Sequence, residues 1–248
     1  MLFEASEDFA SALRLSLDDL DSRGTLDVAA PFVEWEHAGN TVRVEQQAGC
    51  LSDTAAVVWL EAIVTAQWLA ATCTLRASLG ATLELGAGTG FLGLWCARAG
   101  LASSMVLSDR PSRVPFLQRN VNINLLGTPL SVVGLAWGDE SGASLLKGKI
   151  DTILASSLIY DPALHAELVI TLAAIDAPRI VLTFSRRNQA AEDAFLQLLH
   201  ERSYVCVLRE QRTNAQSRGL DVFVYDCMRS NPPMLPVLPV ALRADERA

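Results

Sequence analysis

The stretch 82-TLELGAGTGFLGL-94 sets four glycines, at positions 86, 88, 90 and 93, behind a short apolar run. Such a pattern is typical of a buried strand that turns tightly into a helix, where glycine lets the backbone approach a bound nucleotide-like group. Gly88, Gly90 and Gly93 also spell G-x-G-x-x-G, the fingerprint of dinucleotide-binding proteins. The glycines alone therefore leave two classes of ligand open.

Glu84, at the end of the apolar run, separates these two classes. A carboxylate beside a glycine turn and a helix N-terminus is badly placed for a pyrophosphate, because both groups are negative. It is well placed for a ligand with an amino group, a sulfonium and no phosphate, such as S-adenosylmethionine (SAM). If Glu84 has no role in ligand binding, it is a carboxylate at the end of the strand that caps the loop.

Asp109 ends the second apolar run of the pattern, 19 residues after Gly90. An acid at this place accepts hydrogen bonds from the ribose hydroxyls of an adenosine, in either NAD or SAM. The alternative is an ordinary helix N-cap, since a proline follows closely. The glycine loop nearby favours the ribose interpretation.

Apolar runs and helical spacing alternate along the rest of the chain. Strands are predicted at residues 81–86, 104–109, 130–138, 151–159, 179–185, 204–210 and 221–228. Helices are predicted at residues 54–72, 90–100, 114–125, 163–175 and 190–203. This alternation predicts an α/β fold: a Rossmann-like seven-stranded, mostly parallel sheet with helices on both faces and an antiparallel C-terminal strand pair.

We divide the chain into three parts. Residues 1–50 are predicted to be an N-terminal extension that contains a β-hairpin with its turn at Gly39–Asn40. Residues 51–229 form the domain that carries the glycine loop. Residues 230–248 form a proline-rich C-terminal tail.

Composition limits the classes of partner. The chain has 248 residues, half of them hydrophobic, with a net charge of −8 and a pI near 4.9. An acidic protein lacks the clustered Lys and Arg of a nucleic-acid surface, so we expect no nucleic-acid partner. No apolar run reaches the length of a membrane helix, and the N-terminus does not resemble a signal peptide.

The five cysteines show neither C-x-x-C nor any other metal-ligand spacing. We therefore expect reduced, mostly buried thiols, a cytoplasmic and also nuclear location, and no metal site. His37, His165 and His200 share no metal spacing and are predicted to be surface or structural residues. Residues 185–188, Ser-Arg-Arg-Asn, follow the fifth strand and either bind an acidic peptide or phosphate, or simply begin a solvated helix.

From about residue 57 to 228 the chain resembles the class I, seven-stranded SAM-dependent methyltransferases. Within that class it is similar to family 16, many of whose members are protein-lysine methyltransferases. The matching segments are 57-VVWLEAIVTAQWLA-70, 83-LELGAGTGFLGLWCARAG-100, 106-VLSDR-110, 120-NVNINL-125, 134-GLAWGD-139 and 151-DTILASSLIYDP-162. The glycine loop by itself indicates only that SAM is bound. The tryptophan helix, the Trp-Gly pair and the LIYDP segment together indicate a much smaller group of methyltransferases.

The resemblance implies a set of SAM-binding residues: Trp59, Glu84, Gly86, Ala87, Gly88, Asp109, Trp137 and Ala155. Trp59 would lie over the cofactor site, Trp137 would contact the adenine side and Asp109 would hold the ribose. The glycine loop would face the methionine portion, with Glu84 supporting its amino group. Core packing is the alternative role for both tryptophans.

One departure from the family pattern concerns the acceptor site. The family commonly has Asp-x-x-Tyr or Asp-x-x-Phe after the fourth strand, near the substrate amine, whereas this chain has Ser157 and Tyr160 at those positions. Asp161 follows, but it is one register step away. Ser157 and Tyr160 are therefore the candidate catalytic residues, with guidance of the substrate amine falling to Tyr160, to a backbone carbonyl or to no group.

We expect a monomeric SAM-dependent methyltransferase that acts on a protein substrate, with lysine favoured as the target. Methyl transfer needs alignment and exclusion of water more than a strong base, so the loss of the acid does not by itself exclude activity. The alternatives are a degenerate methyltransferase that acts only as a binding module, or an enzyme acting on arginine or a small molecule. A dehydrogenase would leave Glu84 and the Trp-Gly pair without explanation.

Overall fold

The structure is a computed structural model, and it describes residues 30–47, 54–124, 126–213 and 221–230. The strands are β1 (Phe32–His37), β2 (Asn40–Glu45), β3 (Ala81–Leu85), β4 (Ser104–Asp109), β5 (Leu130–Gly134), β6 (Thr152–Ser156), β7 (Arg179–Ser185), β8 (Tyr204–Arg212) and β9 (Val222–Arg229). The helices are α1 (Leu60–Thr72), α2 (Phe91–Arg98), α3 (Val114–Asn122), α4 (Glu140–Ser144), α5 (His165–Ile175) and α6 (Gln189–Glu201).

The seven-stranded sheet has the order β5-β4-β3-β6-β7-β9-β8. All neighbouring strands are parallel except β9, which is antiparallel to both β7 and β8. The predicted fold class is therefore confirmed. The chain runs from β3 outward to β4 and β5, then crosses to β6 and β7 on the other side. The carboxyl end of β3 is thus a topological switch point, where open α/β sheets bind their ligands.

Helices cover both faces of the sheet and divide the apolar core in two. The first core lies between the sheet and helices α1 and α2, and includes Ile63 and Trp95. The second lies between the sheet and helices α5 and α6, and includes Leu172 and Phe195. Side chains of β3 alternate between the two faces, so Glu84 points toward the first core while its apolar neighbours pack in the second.

Strands β1 and β2 form the predicted hairpin, but its turn is one residue earlier than expected. Ala38 and Gly39 occupy the turn with φ of 50° and 74°, and His37 pairs with Asn40. Two positive φ values give a turn whose twist matches that of the strands, and here alanine accepts one of them. The sequence motif identified the turn but not which two residues occupy it.

The hairpin is packed into the first core. Val33 and Val44 are buried in it, and the ring of Trp35 lies 5.2 Å from the ring of Phe91. The division at residue 50 remains a prediction, although this packing joins the hairpin to the rest of the domain. The lead-in up to residue 29 and the tail from residue 231 lie outside the described residues.

The expectation of reduced cysteines is wrong for one pair. Cys206 on β8 and Cys227 on β9 are directly opposite in the register and are joined by a disulfide. Sequence spacing could not reveal this pair, because the two residues meet only through the antiparallel pairing of β8 and β9. Cys73 and Cys96 are free thiols, and Cys50 lies outside the described residues.

His165 is buried, with Nε2 3.2 Å from the Ile159 carbonyl oxygen and its ring edge-on to Phe195, as expected for a structural residue. Within residues 30–47, 54–124, 126–213 and 221–230, no three His, Cys, Asp or Glu side chains are grouped to hold a metal ion. No helix in these ranges is long and apolar enough to span a bilayer.

Candidate active site

The glycine loop follows β3 at the switch point. Gly86, Gly88 and Gly90 have φ of 63°, 56° and 78°, a left-handed conformation that costs other residues free energy. The N–H of Ala87 donates to the carbonyl oxygen of Ser108 at 2.8 Å, which ties the loop to the end of β4. The backbone conformation therefore explains why these three positions are glycine.

Close neighbours also restrict the loop. A Cβ on Gly86 would lie 2.7 Å from Leu158 Cδ2 and 3.2 Å from Trp137 Cζ2. A Cβ on Gly88 would lie 3.2 Å from the carbonyl oxygen of Ala55. The loop is thus enclosed by Trp137 and Leu158 at one glycine and by the segment before α1 at the other.

Glu84 is buried beneath the loop. Its Oε2 accepts a hydrogen bond from the N–H of Gly93 at 2.9 Å, in the first turn of α2. A Cβ on Gly93 would come within 2.6 Å of that oxygen, so glycine is needed for the contact. Burial raises the pKa of Glu84 to about 8; the Gly93 hydrogen bond opposes this rise, and the charge of Asp109 adds to it.

Asp109 is the second carboxylate at the loop. Its Oδ2 accepts the N–H of Gly88 at 2.8 Å and its Oδ1 accepts the N–H of Arg110 at 2.8 Å. Burial raises the pKa of Asp109, although these two hydrogen bonds and the nearby positive charges of Arg110 and Arg113 lower it. Asp109 therefore closes the loop from the neighbouring strand, whether or not it also binds a ribose.

These contacts fit SAM better than a diphosphate. In dinucleotide sites the loop N–H groups bind phosphate oxygens, but here the N–H groups of Gly88 and Gly93 donate to Asp109 and Glu84. The Asp109 carboxylate would also repel a phosphate, and a bound phosphate would disfavour ionisation of Glu84. A cationic nucleoside without phosphate meets neither obstacle, so the residues present fit SAM.

The two candidate tryptophans lie on opposite sides of the sheet. Trp137 follows β5, contacts Gly86 and packs against the second core. Trp59 precedes α1 and packs against the first core, and its indole N–H donates to the Thr54 carbonyl oxygen at 2.6 Å. Trp137 therefore lies beside the glycine loop, and the cofactor role of both tryptophans remains a prediction.

Sequence reasoning missed the residue that holds the segment before α1 in place. Arg113 donates from Nη2 to the Ala55 carbonyl oxygen at 3.1 Å and from Nη1 to Gln47 Oε1 at 3.1 Å. Gln47 in turn donates its N–H to the Ala56 carbonyl oxygen at 2.9 Å. These partners are more than fifty residues from Arg113 in sequence, so no local pattern marks them.

The end of β6 carries the candidate catalytic residues. Ser157 has a φ of 59° and its N–H donates to the Thr183 carbonyl oxygen at 2.9 Å. Tyr160 is half exposed, and its hydroxyl lies 3.5 Å from Thr54 Oγ1. The side chain of Ala155 is buried in the second core, so any contact with a cofactor would come from its backbone. Three segments distant in sequence thus meet at one edge of the sheet.

Another carboxylate at this edge was not anticipated from the sequence. Glu61, in the first turn of α1, is buried, and its Oε1 accepts the N–H of Ser185 at 3.2 Å. The available signal in the sequence is an acid among the apolar residues of a helix, which does not by itself indicate that the acid is buried. Ser185 begins the Ser-Arg-Arg-Asn segment, whose Arg187 lies 3.8 Å from the same Glu61 oxygen.

A family model described as lysine methyltransferase matches residues 36–202, which is more than half of the chain. The match begins within β1, ends one residue after α6 and includes the whole glycine loop. The dinucleotide alternative is therefore rejected.

Several named proteins are similar in sequence. Protein N-lysine methyltransferase METTL21A of Mus musculus is 30% identical over 177 residues, which cover 70% of this chain and 79% of that protein. Histone-arginine methyltransferase METTL23 of Homo sapiens is 31% identical over 157 residues, which cover 60% of this chain and 80% of that protein. Calmodulin-lysine N-methyltransferase of Arabidopsis thaliana is 34% identical over 94 residues, which cover 36% of this chain and 31% of that protein.

Solved structures share the fold at low identity. A putative transferase from Pyrococcus horikoshii has a TM-score of 0.54 at 14% identity, over 82% of this chain and 74% of that one. TYW2 of M. jannaschii, in complex with AdoMet, has a TM-score of 0.52 at 14% identity, over 81% and 88%. These likenesses support the class I methyltransferase fold.

We predict that Gly86→Ala weakens SAM binding at least about tenfold, or roughly 1.4 kcal/mol. The new methyl group meets Leu158 and Trp137, and the loop must move to relieve the contact. Isothermal titration calorimetry with SAM measures the change. Gly148→Ala is the matched control, because Gly148 also has a positive φ, of 71°, but no atom near its Cβ position. Equal loss of affinity in both variants would contradict the prediction.

We predict that Glu84 makes the unliganded protein less stable as the pH rises. A carboxyl group whose pKa is raised from 4.5 to about 8 contributes stability that is complete below about pH 4.5 and is lost as the pH approaches 8. Glutamine at this position does not titrate. The melting temperature of the wild type, measured relative to that of Glu84→Gln, should therefore decrease as the pH is raised from 5.5 to 8.5. The decrease should be roughly 2–4 °C for each kcal/mol of unfolding free energy that is lost. A constant or rising difference would show that Glu84 is ionised throughout this range.

Proposed function

This chain belongs to the lysine methyltransferase family, and we propose that it transfers a methyl group from SAM to the ε-amino nitrogen of a lysine in a protein. The family match across residues 36–202 and the relatives named as protein N-lysine methyltransferases support this proposal. The observation that carries it is the glycine loop, whose N–H groups at Gly88 and Gly93 donate to carboxylates and are not available to a phosphate.

When bound, SAM would supply a methyl group on a positively charged sulfur. The substrate nitrogen, after its ammonium has lost a proton to solvent, would attack the methyl carbon in line, so that the N–C bond forms as the C–S bond breaks and the thioether leaves. The chain supplies alignment and a site from which water is excluded. Backbone atoms of Gly86, Ala87 and Gly88 would hold the cofactor at the end of β3. Trp137, which lies against Gly86, provides an aromatic surface beside it. The Asp109 carboxylate supplies negative charge that favours a cationic ligand, and a bound cation would in turn favour ionisation of Glu84, whose pKa is about 8 in the unliganded protein.

The acceptor channel lies toward the ends of β6 and β7. Ser157 Oγ is buried without a hydrogen-bond partner among the described residues, so it can accept an N–H from the incoming amine. Tyr160 is partly exposed and is held near Thr54, which places it at the mouth of the channel. Trp59 shares the Thr54 contact, because its indole N–H donates to the Thr54 carbonyl oxygen. Neither Ser157 nor Tyr160 needs to act as a strong base in this arrangement.

Arginine methylation is the second candidate function. The relative named histone-arginine methyltransferase METTL23 is as similar in sequence as the lysine methyltransferases are. A guanidinium and an ammonium are both cations, and both donate N–H groups that the buried Ser157 Oγ at the acceptor site can accept. The nature of the labelled product distinguishes the two functions.

We further propose that the enzyme works as a monomer on a protein substrate, in the cytoplasm and also in the nucleus. The net charge of −8 supports a protein partner over a nucleic acid. The free thiols of Cys73 and Cys96 support a reducing location, whereas the disulfide between Cys206 and Cys227 counts against it. Alkylation of the protein in intact cells would report which state these two cysteines adopt there.

We predict that the purified protein labels lysine residues when it is incubated with [methyl-³H]SAM and a heat-treated lysate of its source cells. Heating inactivates the methyltransferases of the lysate, so the label reports the added enzyme. Acid hydrolysis and chromatography then separate methyllysine from methylarginine. Gly86→Ala, which is expected to bind SAM weakly, serves as the negative control.

Each outcome of this experiment decides between functions. Label in methyllysine supports the proposal, and label in methylarginine supports the second candidate instead. If no protein is labelled between pH 6 and 9 although SAM binds, the proposed function is wrong and the binding-module alternative gains support.

A further inference from the structure

Glu61 is a buried carboxylate that the proposed function has not used. Its side chain is 3% exposed, and its Oε1 accepts the N–H of Ser185. Its Oε2 is buried without a hydrogen-bond partner among the described residues. An unpartnered carboxylate oxygen in the interior is costly, so it is expected to bind a donor that arrives from outside the chain.

Two more unpartnered oxygens lie close by in the fold. Ser156 ends β6 and Ser157 follows it, and each has a buried Oγ for which the described part of the chain offers no partner. Ser156 pairs with Thr183 in the parallel register, so their side chains share a face of the sheet. Both serines therefore lie beside the last residues of β7.

This face of β6 and β7 is the one that α1 covers. Thr183 Oγ1 lies 2.8 Å from Thr65 Oγ1, and Thr65 is one helical turn after Glu61. Glu61 reaches the end of the same strand through Ser185. Glu61 and Ser156 therefore belong to one polar layer between α1 and the ends of β6 and β7.

The polar layer lies next to the glycine loop. Strands β3 and β6 are in register with Glu84 opposite Leu154. Gly86 directly follows β3 and Ser156 is the last residue of β6, so both lie at the carboxyl ends of these neighbouring strands. The layer is therefore adjacent to the place proposed for the methionine portion of SAM.

A cation of the chain already lies at this layer. Nη2 of Arg187 is 3.8 Å from Glu61 Oε1, and its guanidinium carbon is 6.0 Å from the centroid of the Trp59 ring. A carboxylate together with an indole face is a favourable environment for a cation. The Arg187 guanidinium thus marks where a cationic side chain is stabilised at the proposed acceptor site.

The backbone at position 157 has a conformation that suits the aspartate of the family pattern. The family resemblance implies an aspartate there, and Ser157 has a φ of 59°, which Asp and Asn adopt more readily than most residues. The chain keeps the conformation that suits aspartate but carries only a hydroxyl. A carboxylate is nevertheless present in the adjoining layer, on α1.

We propose that Glu61 is the carboxylate that binds the substrate ammonium, and that Arg187 occupies its place until the substrate displaces it. This proposal rests on the proposed function for the identity of the cation. An ammonium has three N–H donors, and the unpartnered oxygens of Glu61 and Ser156 provide acceptors in one layer under α1, with the buried Ser157 Oγ next along the chain. The bound ammonium loses one proton to solvent before the neutral amine accepts the methyl group. Glu61 thereby does on α1 what the aspartate of related enzymes does after β6.

The first test measures cation binding without methyl transfer. n-Butylammonium chloride mimics the lysine side chain, and its binding is followed by the tryptophan indole N–H signals in ¹⁵N-correlated NMR spectra, with sodium chloride at equal ionic strength as the reference. We expect saturable binding in the wild type, weakening by about tenfold or more in Glu61→Gln through loss of a charge-assisted contact. Binding should tighten in Arg187→Gln, because the internal competitor is gone.

Glu192→Gln is the matched control. Glu192 is also buried and also accepts backbone N–H groups of the segment after β7, those of Arg187 and Asn188. Its replacement reports the effect of losing a buried carboxylate near that segment. We expect a lower melting temperature and unchanged n-butylammonium binding. If Glu61→Gln binds n-butylammonium as the wild type does, or if both variants lose binding equally, the proposal is overturned.

The second test uses the heat-treated lysate as methyl acceptor. We expect Glu61→Gln to lose about tenfold or more of the methyllysine label, while calorimetry shows an unchanged affinity for SAM. The double variant Glu61→Gln with Ser157→Asp should recover activity, because an aspartate at position 157 returns a carboxylate to the site. A purely structural role of Glu61 would give no such rescue.

The two tests separate failure of the proposal from failure of the proposed function. If the wild type labels no protein but binds n-butylammonium through Glu61, the proposed function fails and the cation site stands. If the wild type labels lysine and Ser157→Asp does not rescue an inactive Glu61→Gln that folds and binds SAM, the proposed role of Glu61 is wrong.

Discussion

Two hydrogen bonds from the glycine loop to buried carboxylates determine what the loop can bind. Gly88 donates its N–H to Asp109, and Gly93 donates its N–H to Glu84. Both contacts require glycines: Gly88 for its left-handed backbone, and Gly93 for the close approach of α2 to the strand. A loop that would otherwise bind an anion through its N–H groups thereby becomes a site for a cationic nucleoside. The methyltransferase assignment rests on this change.

The other parts of the site are organised around that loop. Arg113 holds the segment before α1 against Gly88, while Trp137 lies against Gly86 from the opposite side. The ends of β6 and β7 continue the same edge and carry unpartnered polar oxygens under α1. Negative charge at the cofactor and at the acceptor is consistent with binding two cationic molecules side by side before the substrate ammonium loses its proton, since the two would repel each other in a neutral site.

Local patterns were sufficient to predict the fold, because strand alternation, glycine spacing and helical periodicity act over a few residues. They also placed Glu84, Asp109 and the glycines at one edge of the sheet. Contacts across long sequence separations were missed. Arg113 with Ala55, and Cys206 with Cys227, meet only through strand order and register. Glu61 was missed because the apolar spacing of α1 does not show whether its one acid is buried. That burial depends on tertiary packing.

The central claim is that the carboxylates of the loop select a cationic nucleoside and exclude a diphosphate. Calorimetric titration of the wild-type protein with SAM and, under identical conditions, with NAD tests it most directly. The account predicts saturable binding of one SAM per chain and no detectable binding of NAD. Binding of NAD with an affinity similar to that of SAM, or of NAD alone, would contradict it.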